Sequence, residues 1–192
     1  PLNTIDAAVP HMRKQGGGRI ANISSFGGKL GVPHMVPYCA SKFALAGLSG
    51  ALTPELARDN IAVTTVCPGL MRTGSPFNAW FKGQHRQEFA WFAIADSLPL
   101  LSMSGQRAAA QIVDSIRHGD AELVITWAAK LAVVAAAHMP NTVALALQAT
   151  SALLPGPSPT AGDQRWSGWQ SMSDWAPWKL TRLAEQAALE NN

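Results

Sequence analysis

The sequence predicts an α/β fold built on a doubly wound parallel sheet, and three observations carry that prediction. Arg19 to Ser25, Ile61 to Cys67 and Glu122 to Thr126 are short runs of nearly continuous apolar or β-rich character, as expected of parallel strands covered on both faces. Helical patterns separate the runs, which is how parallel strands are joined. Turn residues punctuate them: Gly16 to Gly18 before the first, Asn60 and Pro68-Gly69 around the second, Gly119-Asp120 before the third.

In chain order, Leu2, Ile5, Ala8, Val9 and Met12 recur at helical spacing, so Leu2 to Met12 is a helix stopped by the three glycines. The first strand ends in Ser24 and Ser25. Phe26 to Pro37 holds three glycines and two prolines and reads as a stiff loop. A small-residue-rich helix starts at Tyr38, with Pro54 expected to kink or interrupt it before Arg58. A further helix, Ser104 to His118, leads to the third strand. Beyond Trp127 the chain turns to Ala-rich apolar helix broken at Pro140, a Pro/Gly/Ser linker from Leu154 to Gly162, and a tail carrying Trp166, Trp169, Trp175 and Trp178. The organisation is residues 1–126 as the sheet-bearing part and 127–192 as a helical apolar extension with a Trp-rich tail.

Composition narrows the class. The 192 residues are 47% apolar and 14% charged, enough for one domain with its own core. The net charge of +3 comes without any run of five Lys or Arg, so nucleic acid is not an expected partner. Cys39 and Cys67 form neither a CxxC motif nor a disulfide framework. His11, His34, His85, His118 and His138 are scattered, and no metal is expected. The run Leu131 to Leu154 approaches membrane-helix character without reaching about eighteen unbroken apolar residues. Its two readings are a buried C-terminal helix pair and a peripheral membrane or oligomer contact. The expected location is the cytoplasm, with or without that membrane association. The chain opens at Pro1 with no signal-peptide pattern and reads as a fragment.

Tyr38 is the chain's single tyrosine, and Lys42 follows four residues later on the same helix face. A cation beside a phenol favours the phenolate, which suits proton exchange in an alcohol–carbonyl interconversion. Ser25 closes the first strand thirteen positions earlier, and Pro68, Gly69 and Thr73 follow the second strand as PGLMRT. In open α/β sheets ligands bind outside the carboxyl ends of the strands, so these elements converge on one edge. Weaker patterns lead elsewhere. Gly16, Gly18 and Ala21 fit GxGxxA but precede a strand; Gly47 to Gly50 lies within a helix; the sequon Asn22-Ile23-Ser24 lies in a buried strand.

Taken together, NISS (Asn22 to Ser25), YCASK (Tyr38 to Lys42) and CPGLMRT (Cys67 to Thr73) resemble the short-chain dehydrogenase/reductase family over about the first 126 residues. The resemblance implies a partial Rossmann-type fold whose N-terminal half, with the TGxxxGxG turn and the catalytic asparagine, precedes Pro1. It implies hydride transfer between NAD or NADP and an alcohol or ketone. Ser25 would hydrogen-bond the substrate oxygen, Tyr38 would pass the proton, and Lys42 would hold the nicotinamide ribose. Pro68, Gly69 and Thr73 would wrap the nicotinamide. Family habit further implies a homo-oligomer. Phe77, Trp80, Phe81, Phe89, Trp91 and Phe92 crowd the segment after Thr73. They read either as packing for a surface helix or as a lid over a lipophilic substrate. The rival function is a non-catalytic binding module that keeps the half-fold without holding cofactor. A chain lacking the first half of the sheet would expose the edge of its first strand and the apolar face of its first helix, favouring association.

Overall fold

The computed structural model describes residues 1–99, 101–158, 164–172 and 178–191. In chain order the elements are α1 (Leu2–Lys14), β1 (Gly18–Ile23), α2 (Val36–Ala57), β2 (Ile61–Pro68), β3 (Leu70–Arg72), α3 (Ser75–Asn78), β4 (Trp80–Phe81), α4 (His85–Ser97), β5 (Ser102–Ser104), α5 (Gly105–His118), β6 (Glu122–Ile125), α6 (Trp127–His138), α7 (Pro140–Leu153), β7 (Trp166–Ser167) and α8 (Trp178–Asn191), with 3₁₀ turns at Phe26–Gly28 and Trp169–Ser171. They form two compact units: Pro1–Gly69 with Gln106–Pro140, and Leu70–Gly105 with Asn141–Asn192.

The first unit holds a parallel sheet of order β1-β2-β6, as the apolar runs predict. Gly18 pairs with Ile61 and Ile23 with Val66, while Thr65 pairs with Glu122 and Pro68 with Ile125. β2 is the central strand, and all of it from Val63 to Pro68 is buried. One apolar cluster joins Ile5 and Val9 of α1, Ile20 of β1, Leu56 of α2, and Ile61 and Val63 of β2.

Three expectations change. The face of α1 expected in water is largely covered, because Ile5 and Val9 pack on this cluster; Leu2 remains half exposed. Pro54 does not end or divide α2, which runs unbroken from Val36 to Ala57. Leu48 and Leu52 before it and Leu56 around it pack on the same cluster, and that burial outweighs one lost backbone bond. β1 stops at Ile23, short of the serines, although the Ser24 N–H still donates to the Val66 carbonyl at 2.7 Å. The glycines before β1 serve a turn: Gly16 and Gly17 have φ of +84° and +146°, and Asn60 bridges the turn by donating from Nδ2 to the Gly16 carbonyl.

The second unit is organised by aromatic rings. Phe77 and Phe89 meet edge to face at 5.3 Å between centroids, Phe81 meets Phe89 at 5.9 Å, and Trp169 lies against Phe77 at 4.8 Å. Ala93, Ala184 and Ala188 complete this core, joining α4 to α8. Phe77, Phe81 and Phe89 of the aromatic window therefore pack within this unit, whereas Trp80 and Trp91 stay exposed. Residues 159–162 of the expected linker and Trp175 lie outside the described residues.

Asp96 near the end of α4 is 1% exposed, and among the described residues its Oδ2 finds no hydrogen-bond partner. Burial pushes its carboxyl up to about 7, against the weaker downward pull of Arg72. The folded chain thus keeps a proton that the unfolded chain releases near pH 3.9. This group's contribution is greatest below about pH 4 and is lost as pH climbs to about 7. Asp96→Asn should flatten the stability profile between those limits; denaturant melts at steps of pH check this, and an unchanged slope would contradict it.

Candidate active site

In the first unit the carboxyl ends of β1 and β2 lead to Ser25, Pro68 and Gly69, and α2 carries Tyr38 and Lys42. Ser25 is buried with extended backbone, φ −167° and ψ 162°, and caps the 3₁₀ turn: its Oγ accepts from the Gly27 N–H at 3.1 Å. Tyr38 sits in the first turn of α2 and is 40% exposed. Gly27 stands between them. A Cβ placed on it would lie 3.4 Å from Tyr38 Cε1 and 3.5 Å from Ser25 Oγ. Lys42 lies one turn further along α2, its Nζ 5.6 Å from the centre of the Tyr38 ring and donating to the Ile23 carbonyl at 3.0 Å.

α2 is fastened to the end of β1 by side chains that the sequence motifs include but do not explain. Ser24 Oγ donates to the Lys42 carbonyl at 2.8 Å. Asn22 Nδ2 donates to Ser49 Oγ at 2.9 Å, so the sequon asparagine is a buried tie and not a surface acceptor. Gly28 lets the turn and the helix touch, since a Cβ there would stand 2.6 Å from the Lys42 carbonyl oxygen and 2.9 Å from its carbon. Ser24, Asn22 and Gly28 are the contributors that motif reading missed. Two adjacent serines at a strand end were the available signal, because successive side chains of an extended segment point to opposite sides.

Pro68 ends β2, and the Gly69 N–H donates to the Ile125 carbonyl at 3.0 Å. A side chain on Gly69 would run into Ala129 and Thr126, which explains the glycine. Thr126 caps α6 through its Oγ1, accepting from the Ala129 N–H, with a φ of +73° that a β-branched residue adopts only under constraint. Cys67 is fully buried, and burial pushes its thiol up from the ordinary value against the downward pull of Lys29. Lys29 itself pairs with Glu122. Thr73 falls in the second unit, where its Oγ1 shares a hydrogen bond with Ser75 Oγ at 2.7 Å. Among the described residues no three His, Cys, Asp or Glu side chains gather as a metal site.

A hydroxyl, a phenol ring and an ammonium thus gather near the carboxyl edge of a parallel α/β sheet. Residues 1–79 match the family model for short chain dehydrogenase. The pig dehydrogenase/reductase SDR family member 4 is 35% identical over 118 residues, 62% of this chain and 40% of its own length. The 3-ketodihydrosphingosine reductase of Bacteroides thetaiotaomicron is 47% identical over 73 residues, 38% of this chain and 27% of its own. A short chain dehydrogenase of Burkholderia cenocepacia, solved in complex with NADP, shares the fold with a TM-score of 0.59 at 21% identity, covering 76% of this chain and 53% of that one. These matches support the short-chain dehydrogenase/reductase family over the first part of the chain. It spans less than half the length of these curated relatives.

Ser24→Ala removes the buried donor to the Lys42 carbonyl and should lower stability by about 1 kcal/mol. Urea unfolding measures this; a variant as stable as the parent would show that water replaces the hydroxyl.

Proposed function

We propose that the protein carrying this chain is an oxidoreductase that moves a hydride between NAD or NADP and an alcohol or carbonyl compound. The observation that carries the reading is the grouping of Ser25 Oγ and the Tyr38 ring around Gly27, with the Lys42 ammonium 5.6 Å from the ring centre. The donor set suits a nicotinamide riboside. An ammonium has three donors, and Lys42 gives one to the Ile23 carbonyl, leaving two for a ribose diol. Lys42 would hold that diol, and Pro68 and Gly69 would flank the ring. When bound, the nicotinamide supplies or accepts the hydride. In the reductive direction Ser25 donates a hydrogen bond to the substrate carbonyl oxygen, and the Tyr38 hydroxyl gives that oxygen its proton. Lys42 keeps positive charge beside the phenolate so formed. Oxidation runs these roles in reverse. A lipophilic substrate is the corresponding reading of Trp80 and Trp91, which lie exposed after the PGLMRT segment.

In the complete protein, Tyr38→Phe removes the proton donor and little volume, so kcat should fall by about 10² to 10⁴ with cofactor affinity kept. Lys42→Ala should weaken cofactor binding and rate together. Steady-state turnover and cofactor titration separate the two patterns, and a fully active Tyr38→Phe protein would refute the reading.

A specific observation also supports a peripheral membrane role for 131–154 in a cytoplasmic protein. α7 buries none of its residues and carries no charge, and Trp127, Leu131 and Val134 form an exposed stripe on α6. Between Glu122 and Asp163 there is no acidic residue, and Lys130 and His138 are the ionisable groups, a charge pattern that suits an anionic lipid surface. No helix among the described residues is long and apolar enough to cross a membrane. Leu131→Glu with Leu145→Glu should abolish co-sedimentation with vesicles containing phosphatidylserine. Equal sedimentation of parent and variant would refute the role, as would an oligomer that the substitutions break apart and vesicles do not bind.

A further inference from the structure

We infer that Gly27 is a specificity-determining position: the missing side chain keeps open the foot of the space between Ser25 and Tyr38 and sets how bulky a group beside the reacting carbonyl carbon is accepted. The inference rests on the oxidoreductase reading. The fold itself gives no reason for a glycine there. Gly27 does not adopt a left-handed backbone conformation, and a Cβ on it would meet Tyr38 Cε1, Cys39 Sγ and Ser25 Oγ at 3.4 to 3.5 Å, all ordinary van der Waals contacts. The N–H that Ser25 Oγ accepts would survive replacement by alanine.

The next residue is the control. Gly28 is required by packing, because its Cβ would press on the Lys42 carbonyl oxygen at 2.6 Å and the Ser24 hydroxyl at 2.5 Å. Of two consecutive buried glycines, one is excluded from carrying a side chain by backbone and the other is not. At Gly27 the two neighbours that would feel a methyl group are the hydroxyl and the phenol ring that must both reach one substrate oxygen. A methyl there leaves a slim substrate room to enter and obstructs one with a large substituent on either side of its carbonyl.

The experiment compares the complete protein with Gly27→Ala using butanone and benzophenone, with Gly28→Ala as the folding control. Gly27→Ala should keep a cooperative melt within a few degrees of the parent, whereas Gly28→Ala should lose stability. The ratio of kcat/KM for butanone over benzophenone should rise about tenfold or more, the scale on which one methyl group discriminates in a shaped pocket. Equal losses on both ketones would mean that the methyl disturbs Ser25 or Tyr38 and not the space between them, and would overturn the inference. So would an unchanged ratio, or a Gly27→Ala protein that no longer folds. A parent protein with no activity on any alcohol or carbonyl compound would remove the oxidoreductase reading and this inference with it, whereas an active parent with an unmoved ratio removes this inference alone.

Discussion

The backbone of Lys42 is held against the carboxyl end of β1, and the geometry of the first unit's site depends on that contact. Helix α2 carries Tyr38 and Lys42; β1 leads into Ser25. Nothing in either element alone fixes the distance between the phenol and the serine hydroxyl. The Ser24 hydroxyl on the Lys42 carbonyl, the Lys42 ammonium on the Ile23 carbonyl and the bare Gly28 together leave the helix one depth at which to sit. If the helix slid, the buried Ser24 hydroxyl would be left without its acceptor, which costs more than the bond is worth when made, so the arrangement tolerates little drift. Further along α2, Asn22 on Ser49 repeats the device two residues earlier in the strand. The site is thereby built from regular elements and a three-residue turn, and not from long loops.

The second unit solves a different problem with different means. Its strands are two or three residues long and cannot organise a core by themselves. Edge-to-face phenylalanines and small alanines on α4 and α8 supply that core instead. Gly168 permits the segment after residue 164 to lie against Pro76 and Phe77, with its N–H on the Ala79 carbonyl at 3.0 Å. Aromatic crowding in sequence thus signals two fates at once. Phe77 and Phe89 are interior residues, and Trp80 and Trp91 remain available at the surface.

The parallel strands were legible because they are buried: Ile61 to Cys67 has no polar face to disguise its type, and turn residues bracket it. Ser25, Tyr38 and Lys42 were legible from spacing, since a strand end, a short turn and a helix start constrain separations along the chain. What escaped reading depended on contacts between distant residues. The continuity of α2 through Pro54 follows from Leu48, Leu52 and Leu56 finding Ile5, Val9 and Val63, and propensity carries no trace of those partners. The burial of α1 escaped for the same reason. The α6 cap at Thr126, with its left-handed backbone, answers to the close approach of Gly69, and a lone threonine after a strand does not announce it.

Adjacent Ser24 and Ser25 show how little sequence is needed to divide labour once a strand is in place. Both follow directly on Ile23, the last residue of β1, and the extended backbone at Ser25 turns their side chains to opposite sides. Ser24 is spent on the Lys42 carbonyl. Ser25 accepts from the Gly27 N–H, and the one lone pair and the proton left on its hydroxyl are free for a ligand. Exchanging the two jobs would require shifting the register by one residue, which would also move Ile20 and Asn22 to the wrong faces of the sheet. The pairing of β1 with β2, fixed by Ile20 opposite Val63 and Ile23 opposite Val66, therefore decides which serine faces the phenol. The chemistry at the edge of this sheet is set by register several residues back in its core.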